Sequence, residues 1–183
     1  DNYSMQDIRG RLIFLFRVLK VDTIVTYDPW GHYEENPDHY VTARAVESAR
    51  WMAGGGRDYP EHFEAGIKPH AVIERYYFAR GPQLVNRIVD ITGTIEQKID
   101  ANLVNVSQGP AGEAGSALRK RLEREGKYLP LLGSSDTEAN RNYIKHFVLD
   151  MDSKNLRGVP SDKEVGKPYQ LGWAERFHYI GSE

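Results

Sequence analysis

The segment between residues 26 and 39 constrains the fold most, because it joins an apolar run to a stretch with helical spacing. The run before it, 21–27, has the length and β-branched content of a buried strand. Near the end of the segment, Asn36 is suited to cap a helix and Pro37 to occupy its first position. Residues 37–53 then place small and apolar side chains on one helical face. The sequence therefore predicts a strand, a loop and a helix in succession.

This order places Asp38 and His39 in the first helical turn, at the carboxyl end of a strand. Ligands and catalytic groups usually lie at that position in open α/β sheets. The positive end of the helix dipole disfavours a protonated imidazole at His39 and favours the neutral ring that binds a metal ion. Taken alone, one Asp-His pair nevertheless favours a structural interpretation, in which Asn36 and Asp38 cap the helix and His39 packs against the sheet edge.

Strands and helices alternate along the rest of the chain, which predicts a layered α/β fold. We expect helices at 5–20, 37–53, 95–106 and 113–125 and from Ser135 onward, and strands at 21–27, 70–79 and 87–91. The first two strands should share a sheet, with Val72 and Ile73 at the centre of the second. Thr94 and Gln97 have the spacing of a capping box and predict the start of the third helix.

The first helix carries more apolar residues than one buried stripe requires. Its stripe consists of Ile8, Leu12, Leu15, Phe16 and Leu19. The additional Ile13, Phe14 and Val18 widen the apolar surface. Either both sides of this helix are covered, or part of it meets another segment or subunit.

Length and composition restrict the class of protein. The 183 residues suit one domain spanning 1–183, and a formal charge of −2 with scattered basic residues gives no indication of nucleic-acid binding. There are no cysteines, so disulfides and thiol chemistry are excluded and a cytoplasmic location is the default. No apolar run approaches the roughly 20 residues that span a bilayer. The polar tail, 152–183, ends in aromatic residues that should dock on the domain or on a neighbouring subunit.

Three groups of residues resemble a known family. Asp28-Pro29, a glycine-containing loop and Asn36-Pro37-Asp38-His39 resemble the second motif of the LmbE-like, or PIG-L, family, whose members commonly read His-Pro-Asp-His. Downstream, the matching positions are Asp90-Ile91-Thr92, Lys98, Ala101 and Ser107-Gln108, followed by Ala174-Glu175-Arg176-Phe177. Family members are zinc-dependent de-N-acetylases that act on N-acetylglucosaminyl compounds.

The resemblance implies a Rossmann-like layered sheet with flanking helices and a zinc-dependent hydrolase that removes an acetyl group from an amino-sugar amide. It implies that His39 binds zinc, that Asp38 orients a neighbouring polar group, and that Asn36 stands where a family histidine assists the tetrahedral intermediate. The loop residues Asp28, His32, Tyr33 and Glu34 should lie beside the substrate. Any of the last three could supply a proton, whereas Asp28 is expected to bond to the loop backbone rather than to approach the metal.

The chain also departs from the family pattern. The first family motif, His-Pro-Asp-Asp, supplies two zinc ligands and the catalytic base, and it is absent. Asn36 and Asn105 replace two family histidines. The chain thus corresponds to the C-terminal portion of a family domain whose N-terminal part is missing. A missing N-terminal segment or a partner chain would supply the other zinc ligands.

Two other classes of function remain open. The chain could be a non-catalytic α/β module that retains the family scaffold for binding or assembly, in a homo-oligomer or with another partner. A nucleotide-binding fold is disfavoured, because no glycine-rich turn joins a strand to a helix. The remaining histidines lie in no metal-ligand spacing and are assigned to the surface or the core: His62, His70, His146 and His178.

Overall fold

The structure is a computed structural model that describes residues 3–32, 34–107, 112–150 and 159–181. Its internal contacts divide the chain into two compact units. Unit 1 comprises Asp1–Arg87 and Arg176–Glu183, and unit 2 comprises Ile88–Glu175. The expectation of a single domain stays a prediction.

Helices and strands alternate as the sequence predicts. The helices are α1 Met5–Leu19, α2 Pro37–Ala53, α3 Pro60–Glu64, α4 Ile95–Leu103, α5 Ala114–Arg124, α6 Asp136–Tyr143 and α7 Asp162–Gly166. A π-helical segment, Ile144–Leu149, continues α6. The strands are β1 Thr23–Tyr27, β2 Glu74–Phe78, β3 Arg87–Asp90 and β4 Ala174–Ile180.

The four strands form one mixed sheet in the order β1-β2-β4-β3. β1 runs parallel to β2, with Thr23 opposite Glu74 and Tyr27 opposite Phe78. β4 runs antiparallel to β2. The predicted α/β class with a layered sheet and flanking helices is confirmed, and β1 and β2 share a sheet as expected.

In unit 1, α1 and α2 pack together on one face of the sheet. The buried core consists of Ile13, Phe16, Ile24, Val46, Ala49, Ala53 and Val72. Small residues of α2 allow close packing, because Ala43, Ala45 and Ala49 are fully buried. Along β1, Ile24 and Thr26 are buried, whereas Val25 points the other way and is 61% exposed. Tight packing of α2 holds the first turn of that helix, and with it His39, in a fixed position.

The guanidinium of Arg17, which is fully buried, fastens the C-terminal end of α2 to α1. It donates to the carbonyl oxygens of Met52 (3.2 Å), Ala53 (3.1 Å), Gly55 (2.9 Å) and Asp58 (3.0 Å). Its fifth partner is Nδ1 of His62 at 3.0 Å. Because arginine can only donate, His62 accepts through Nδ1. Arg17 thus satisfies carbonyls that a helix end leaves without partners.

In unit 2, the two downstream segments of the family resemblance lie against each other. The backbone N–H of Ile91 donates to the carbonyl of Trp173 at 3.0 Å, and the N–H of Trp173 donates to Oγ1 of Thr92 at 3.1 Å. Lys98 bonds to the carboxylates of Glu175 and Asp162. These contacts give the motif residues a shared structural role in this unit.

Three details of the sequence prediction are wrong. The second strand begins at Glu74, because the N–H groups of Ile73 and Glu74 both donate to the carbonyl of Asp22, and the ladder starts only after them. Helix α4 ends at Leu103, and Val106 beyond it is 69% exposed. Thr94 occupies the N-cap position of α4 but its side chain makes no capping bond, since its hydroxyl donates to the Ile91 carbonyl within a 3₁₀ turn.

Strand β4 lies in a segment for which the sequence predicted only a docking tail. It pairs with β2 from Arg75 opposite Ile180 to Tyr77 opposite His178. The earlier part of the tail, 152–158, lies outside the described residues, as does Gln108 of the family resemblance.

Candidate functional site

The candidate site is built around His39, in the first turn of α2 beside the carboxyl end of β1. The imidazole stacks on the ring of Tyr27, with centroids 4.0 Å apart and planes 13° apart. Tyr27 in turn contacts Phe78 of β2, with centroids 4.4 Å apart. The His39 side chain is 23% exposed. The two strands therefore present an aromatic floor that orients a partly accessible imidazole.

A carboxylate fixes which nitrogen of His39 carries the proton. Nδ1 of His39 lies 3.1 Å from Oε1 of Glu34, which also accepts the backbone N–H of Asn36 at 3.1 Å. Arg80 donates to both carboxylate oxygens of Glu34. Because an ionised carboxylate only accepts, Nδ1 of His39 is the donor, and in the neutral tautomer with this bond Nε2 carries the lone pair.

The charge state of Glu34 follows from its surroundings. Burial acts to raise the pKa of Glu34, but hydrogen bonds from Arg80 and from the Asn36 backbone outweigh it and leave the pKa below the ordinary value of 4.5. Burial raises the pKa of Tyr27, so its hydroxyl stays protonated near neutral pH. The site therefore holds an anionic Glu34 next to Nδ1 of His39 and a protonated Tyr27 hydroxyl near Nε2.

The Nε2 lone pair of His39 receives two neighbouring donors. The Tyr27 hydroxyl lies 3.2 Å from it and the Asn36 side-chain nitrogen 3.3 Å. The other end of the Asn36 amide accepts the N–H of Asp38 at 2.9 Å, so the amide caps the helix with its oxygen and faces His39 with its nitrogen. Asn36 thus combines the capping role with a hydrogen-bond donor directed into the site.

Asp28 lies at the base of the loop and bonds to its backbone. Its Oδ1 accepts the N–H of Trp30 at 2.8 Å, and its Oδ2 accepts from Gln83 at 3.2 Å. Nδ1 of His178 is 3.7 Å from the same carboxylate. The Asp28 side chain is only 3% exposed. These contacts hold the start of the loop against β2 and β4.

The structure brings only some of the predicted site residues together. Glu34, Asn36 and His39 form one cluster, with Asp28 at the base of the loop. Asp38 is exposed at the start of α2, and none of the described contacts joins its side chain to His39. His32 is exposed, with its N–H 3.4 Å from the carbonyl of Pro82, and Tyr33 lies outside the described residues.

Sequence reasoning missed two members of the cluster. Tyr27 ends β1 next to the loop, so its position beside a ligand-binding edge was an available signal. Arg80 follows β2, 46 positions after Glu34, and no local pattern links the two. Only the parallel pairing of β1 with β2 brings Arg80 to the site.

These residues do not by themselves make a zinc centre. A catalytic zinc site uses three protein ligands and an open position. Within the described ranges, no group of three or more His, Asp or Glu side chains could hold a metal ion. A metal at Nε2 of His39 would also have to displace the bonds from Tyr27 and Asn36. This part of the chain therefore offers one ligand and its carboxylate partner.

Comparisons with known proteins give a consistent class. The chain is 28% identical over 142 residues to the 1D-myo-inositol 2-acetamido-2-deoxy-alpha-D-glucopyranoside deacetylase of Mycobacterium leprae, a match that covers 57% of this chain and 46% of that enzyme. It is 27% identical over 106 residues to the diacetylchitobiose deacetylase of Thermococcus kodakarensis, covering 57% of this chain and 39% of the relative. The chain thus spans about half the length of the curated relatives it matches, or less. No protein-family model matches it.

Solved structures share the fold. The N,N'-diacetylchitobiose deacetylase of Pyrococcus horikoshii, in complex with an inhibitor, superposes with a TM-score of 0.61 at 20% identity and covers 98% of this chain and 52% of that one. A conserved protein of Thermus thermophilus, TT1542, gives a TM-score of 0.54 at 17% identity. The match covers 93% of this chain and 56% of that one.

The relatives in sequence are deacetylases of amino-sugar compounds, and the fold agrees with theirs. The chain is thus similar in sequence to deacetylases of the kind that the LmbE-like, or PIG-L, resemblance predicts. None of the helices in the described ranges has the length and apolar character needed to cross a membrane.

Proposed function

We propose that this chain forms part of a zinc-dependent deacetylase that removes the acetyl group from an N-acetylglucosaminyl-type or related amide. The observation that carries the proposal is the bonding of the His39 ring. Its Nδ1 donates to Glu34, which leaves the lone pair at Nε2. Histidines that bind catalytic metals usually donate their other ring N–H to a carboxylate, which fixes the ring and increases its basicity. Glu34, itself held by Arg80, occupies that position.

Asn36 and Tyr27 give the site donors for the substrate. Both present a hydrogen-bond donor toward the same side of His39. Such donors stabilise the oxyanion that forms when an amide carbonyl is attacked. Asparagine can donate a hydrogen bond but cannot act as a general acid, and Glu34 is ionised. Of the expected loop residues, His32 or Tyr33 would therefore supply the proton to the leaving amine.

The remaining parts of the reaction belong to polypeptide outside this sequence. When bound, zinc would supply a Lewis acid and a water of lowered pKa. We assign the other zinc ligands and the base to a missing N-terminal segment or to a partner chain. We further propose a cytoplasmic location and a small-molecule substrate; the absence of cysteine from the 183 residues suits a reducing compartment.

The experiment compares His39→Ala with His146→Ala in the complete natural protein. His39→Ala should lose zinc and amide hydrolysis together, because it removes a ligand. His146→Ala removes a histidine of unit 2 outside the site and should retain both. Zinc content by metal analysis and acetate release from an N-acetylglucosaminyl substrate are the measurements. Full zinc and full activity in His39→Ala would overturn the proposal.

One observation favours a second candidate, a non-catalytic binding or assembly module. Asn36 and Asn105 stand where family members have histidine, and the described part of the chain offers a single metal ligand. If the complete natural protein binds no zinc and releases no acetate, this second function is the better one.

A further inference from the structure

Two exposed tryptophan side chains flank a groove along α2. Trp30 is 56% exposed and Trp51 is 73% exposed, although indole rings are among the largest apolar surfaces that proteins bury. Both line an open cavity of about 570 Å³ between α2 and the loop that follows β1. This volume falls within the range of roughly 300–1,000 Å³ that is typical of ligand sites. We call this cavity the indole groove.

The indole groove lies outside the cluster around His39. Its lining comes from Pro29-Trp30, from one face of α2 between Arg44 and Met52, and from Asp58. Trp51 follows His39 by twelve residues, which turns an α-helix by about 120°. The groove and the imidazole therefore use different faces of the same helix.

The walls of the indole groove are fixed by contacts beneath them. The Trp30 ring packs against the rings of Tyr77 and His178, with centroids 5.6 and 5.9 Å away. The Tyr77 hydroxyl donates to the carboxylate of Glu47 in the groove lining, and Arg50 bonds to the same carboxylate. Because these contacts hold the loop and the helix in place, a ligand would spend little free energy on ordering the groove.

Three polar side chains of the indole groove retain unused hydrogen-bonding capacity. Among the described contacts, the Arg44 guanidinium lies only over the Tyr40 ring, at 5.7 Å. The Ser48 hydroxyl has a single contact, with Sδ of Met52 at 3.9 Å. The described hydrogen bond of Asp58 uses its backbone carbonyl and not its carboxylate. A ligand in the groove therefore meets donors and acceptors as well as two indole faces.

The charges of the indole groove favour a neutral ligand rich in hydroxyl groups. Arg44 is the cation of the groove, and an adjoining cavity of about 400 Å³ adds Arg57. The carboxylates of Glu47 and Asp58 balance these two charges. The described lining thus has no surplus of the cations that a polyanion such as nucleic acid requires. A hydroxyl group both donates and accepts, so it suits the guanidinium and the carboxylates alike.

An apolar protein segment fits the indole groove less well than a saccharide does. It would cover Arg44, Ser48 and Asp58 without bonding to them, and burying unpaired polar groups costs free energy. A pyranose ring has C–H groups on its faces and hydroxyl groups around its edge. The C–H groups suit the negative face of an indole, while the hydroxyl groups reach the polar side chains.

We propose that the indole groove binds a neutral oligosaccharide at a site separate from the catalytic one. The pyranose rings stack on Trp30 and Trp51. Their hydroxyl groups bond to three side chains of the lining: Arg44, Ser48 and Asp58. The site goes beyond the proposed function, because it holds the protein on a saccharide chain and uses neither the metal ion nor the amide of the reaction.

Binding of cellotriose to the complete natural protein tests the site. Cellotriose presents C–H faces and has no acetamido group, so it cannot be a substrate of the proposed reaction. Titration calorimetry should detect binding, and Trp51→Ala should weaken the affinity by about three- to tenfold through the loss of one stacked ring. Trp51→Phe should recover part of the affinity. Thermal unfolding should show that both variants fold, because the replaced side chain is mostly exposed.

Tyr128→Ala is the matched control, because Tyr128 is 70% exposed but belongs to unit 2. It should leave the affinity for cellotriose unchanged. No binding of cellotriose, or equal losses in Trp51→Ala and Tyr128→Ala, would overturn the proposal. A smaller oligomer mass in Trp51→Ala would assign the groove to self-association and would overturn it too.

The indole groove and the proposed function can fail separately. Cellotriose binding in a protein that holds no zinc and releases no acetate would retain the groove and remove only the proposed function. Zinc-dependent deacetylation in a protein that does not bind cellotriose would retain the function and remove the groove.

Discussion

At the residue scale, Asn36 combines two roles that the sequence presented as alternatives. Its oxygen caps α2, as the structural interpretation requires, and its nitrogen faces Nε2 of His39, as a role in the site requires. A histidine at this position would face the same space with a ring that can both donate and accept. The substitution therefore changes the chemistry available in the site more than the local fold.

Variants of Asn36 in the complete natural protein should separate these roles. If the amide donates to the oxyanion, Asn36→Ala should lower turnover by roughly 10²–10³-fold. Asn36→His should preserve or raise turnover, because it restores the usual family side chain. Zinc content should stay unchanged in both. Steady-state deacetylation and metal analysis are the measurements.

Asn36→Asp provides the control for capping. Aspartate caps a helix as well as asparagine does, but its carboxylate cannot donate to an oxyanion. We expect the thermal stability of Asn36→Asp to match the wild type while its turnover falls. If Asn36→Ala left turnover unchanged, the oxyanion role would belong to another donor, of which Tyr27 is the nearest.

The isolated 183-residue chain should bind zinc weakly, since one histidine does not make a three-ligand site. Dialysis against zinc followed by metal analysis should find much less than one zinc per chain. Tight stoichiometric binding would show that ligands were missed, with His32 and His70 the first to replace.

At the scale of elements, α2 is held at both ends by side chains. Asn36 caps the first turn, and Arg17 of α1 binds the carbonyls at and beyond the last turn. Both ends of the helix thereby have side-chain partners. The position of His39 depends on this helix, so a contact at the far end of α2 contributes to the geometry of the site.

Replacing Arg17 should destabilise the chain strongly. Arg17→Met removes one donor from each of four carbonyls and from one imidazole nitrogen, and we expect a loss of about 3–5 kcal/mol. Arg17→Lys should recover only part of this lost stability, because an ammonium group has three donors and lacks the planar geometry of the guanidinium. Urea unfolding at neutral pH is the measurement.

Arg11→Met is the matched control on the same helix. Arg11 is exposed, and its guanidinium lies over the Tyr3 ring at 4.4 Å. Its loss should change the free energy of unfolding by no more than about 0.5 kcal/mol. Similar losses for the two arginines would show that the buried hydrogen bonds contribute little.

The elements also show how far sequence reasoning reaches. Both boundaries of α2 were predicted correctly, because Asn36-Pro37 and the glycines from Gly54 are local signals. β4 was missed, because its residues alternate without a clear apolar face and acquire their structure by pairing with strands about 100 positions earlier. The same limit applied to the site. Glu34 was predicted beside the substrate, but its bond to Arg80 depends on strand pairing.

At the scale of the whole molecule, carboxylates set the response to acid. Among the described residues, the pKa is lowered for Asp7, Glu34, Glu47, Glu74, Asp90, Glu96, Asp136 and Glu138. Burial raises the pKa of Asp162, although Lys98 acts against it. A carboxylate with a lowered pKa in the folded state stabilises the fold fully above its ordinary pKa, and this stabilisation is lost as the pH falls through the lowered value.

We therefore expect stability to be nearly constant from neutral pH down to about pH 5 and to decline below that. Several of these carboxylates are exposed, so each contributes little. Glu34, whose side chain is 11% exposed, should contribute more. Glu34→Gln should be less stable than the wild type at neutral pH and should lose less stability in acid. Urea midpoints measured across this range test the expectation, and parallel declines in the two proteins would contradict it.

The position of β4 has a consequence for protein synthesis. β4 is the last of the four strands to leave the ribosome, yet its place is between β2 and β3. Until β4 has been synthesised, β2 and β3 each have an unpaired edge. Nascent chains with unpaired strand edges tend to associate incorrectly. A premature stop before Ala174 would therefore yield a chain with two incomplete edges instead of a shortened protein.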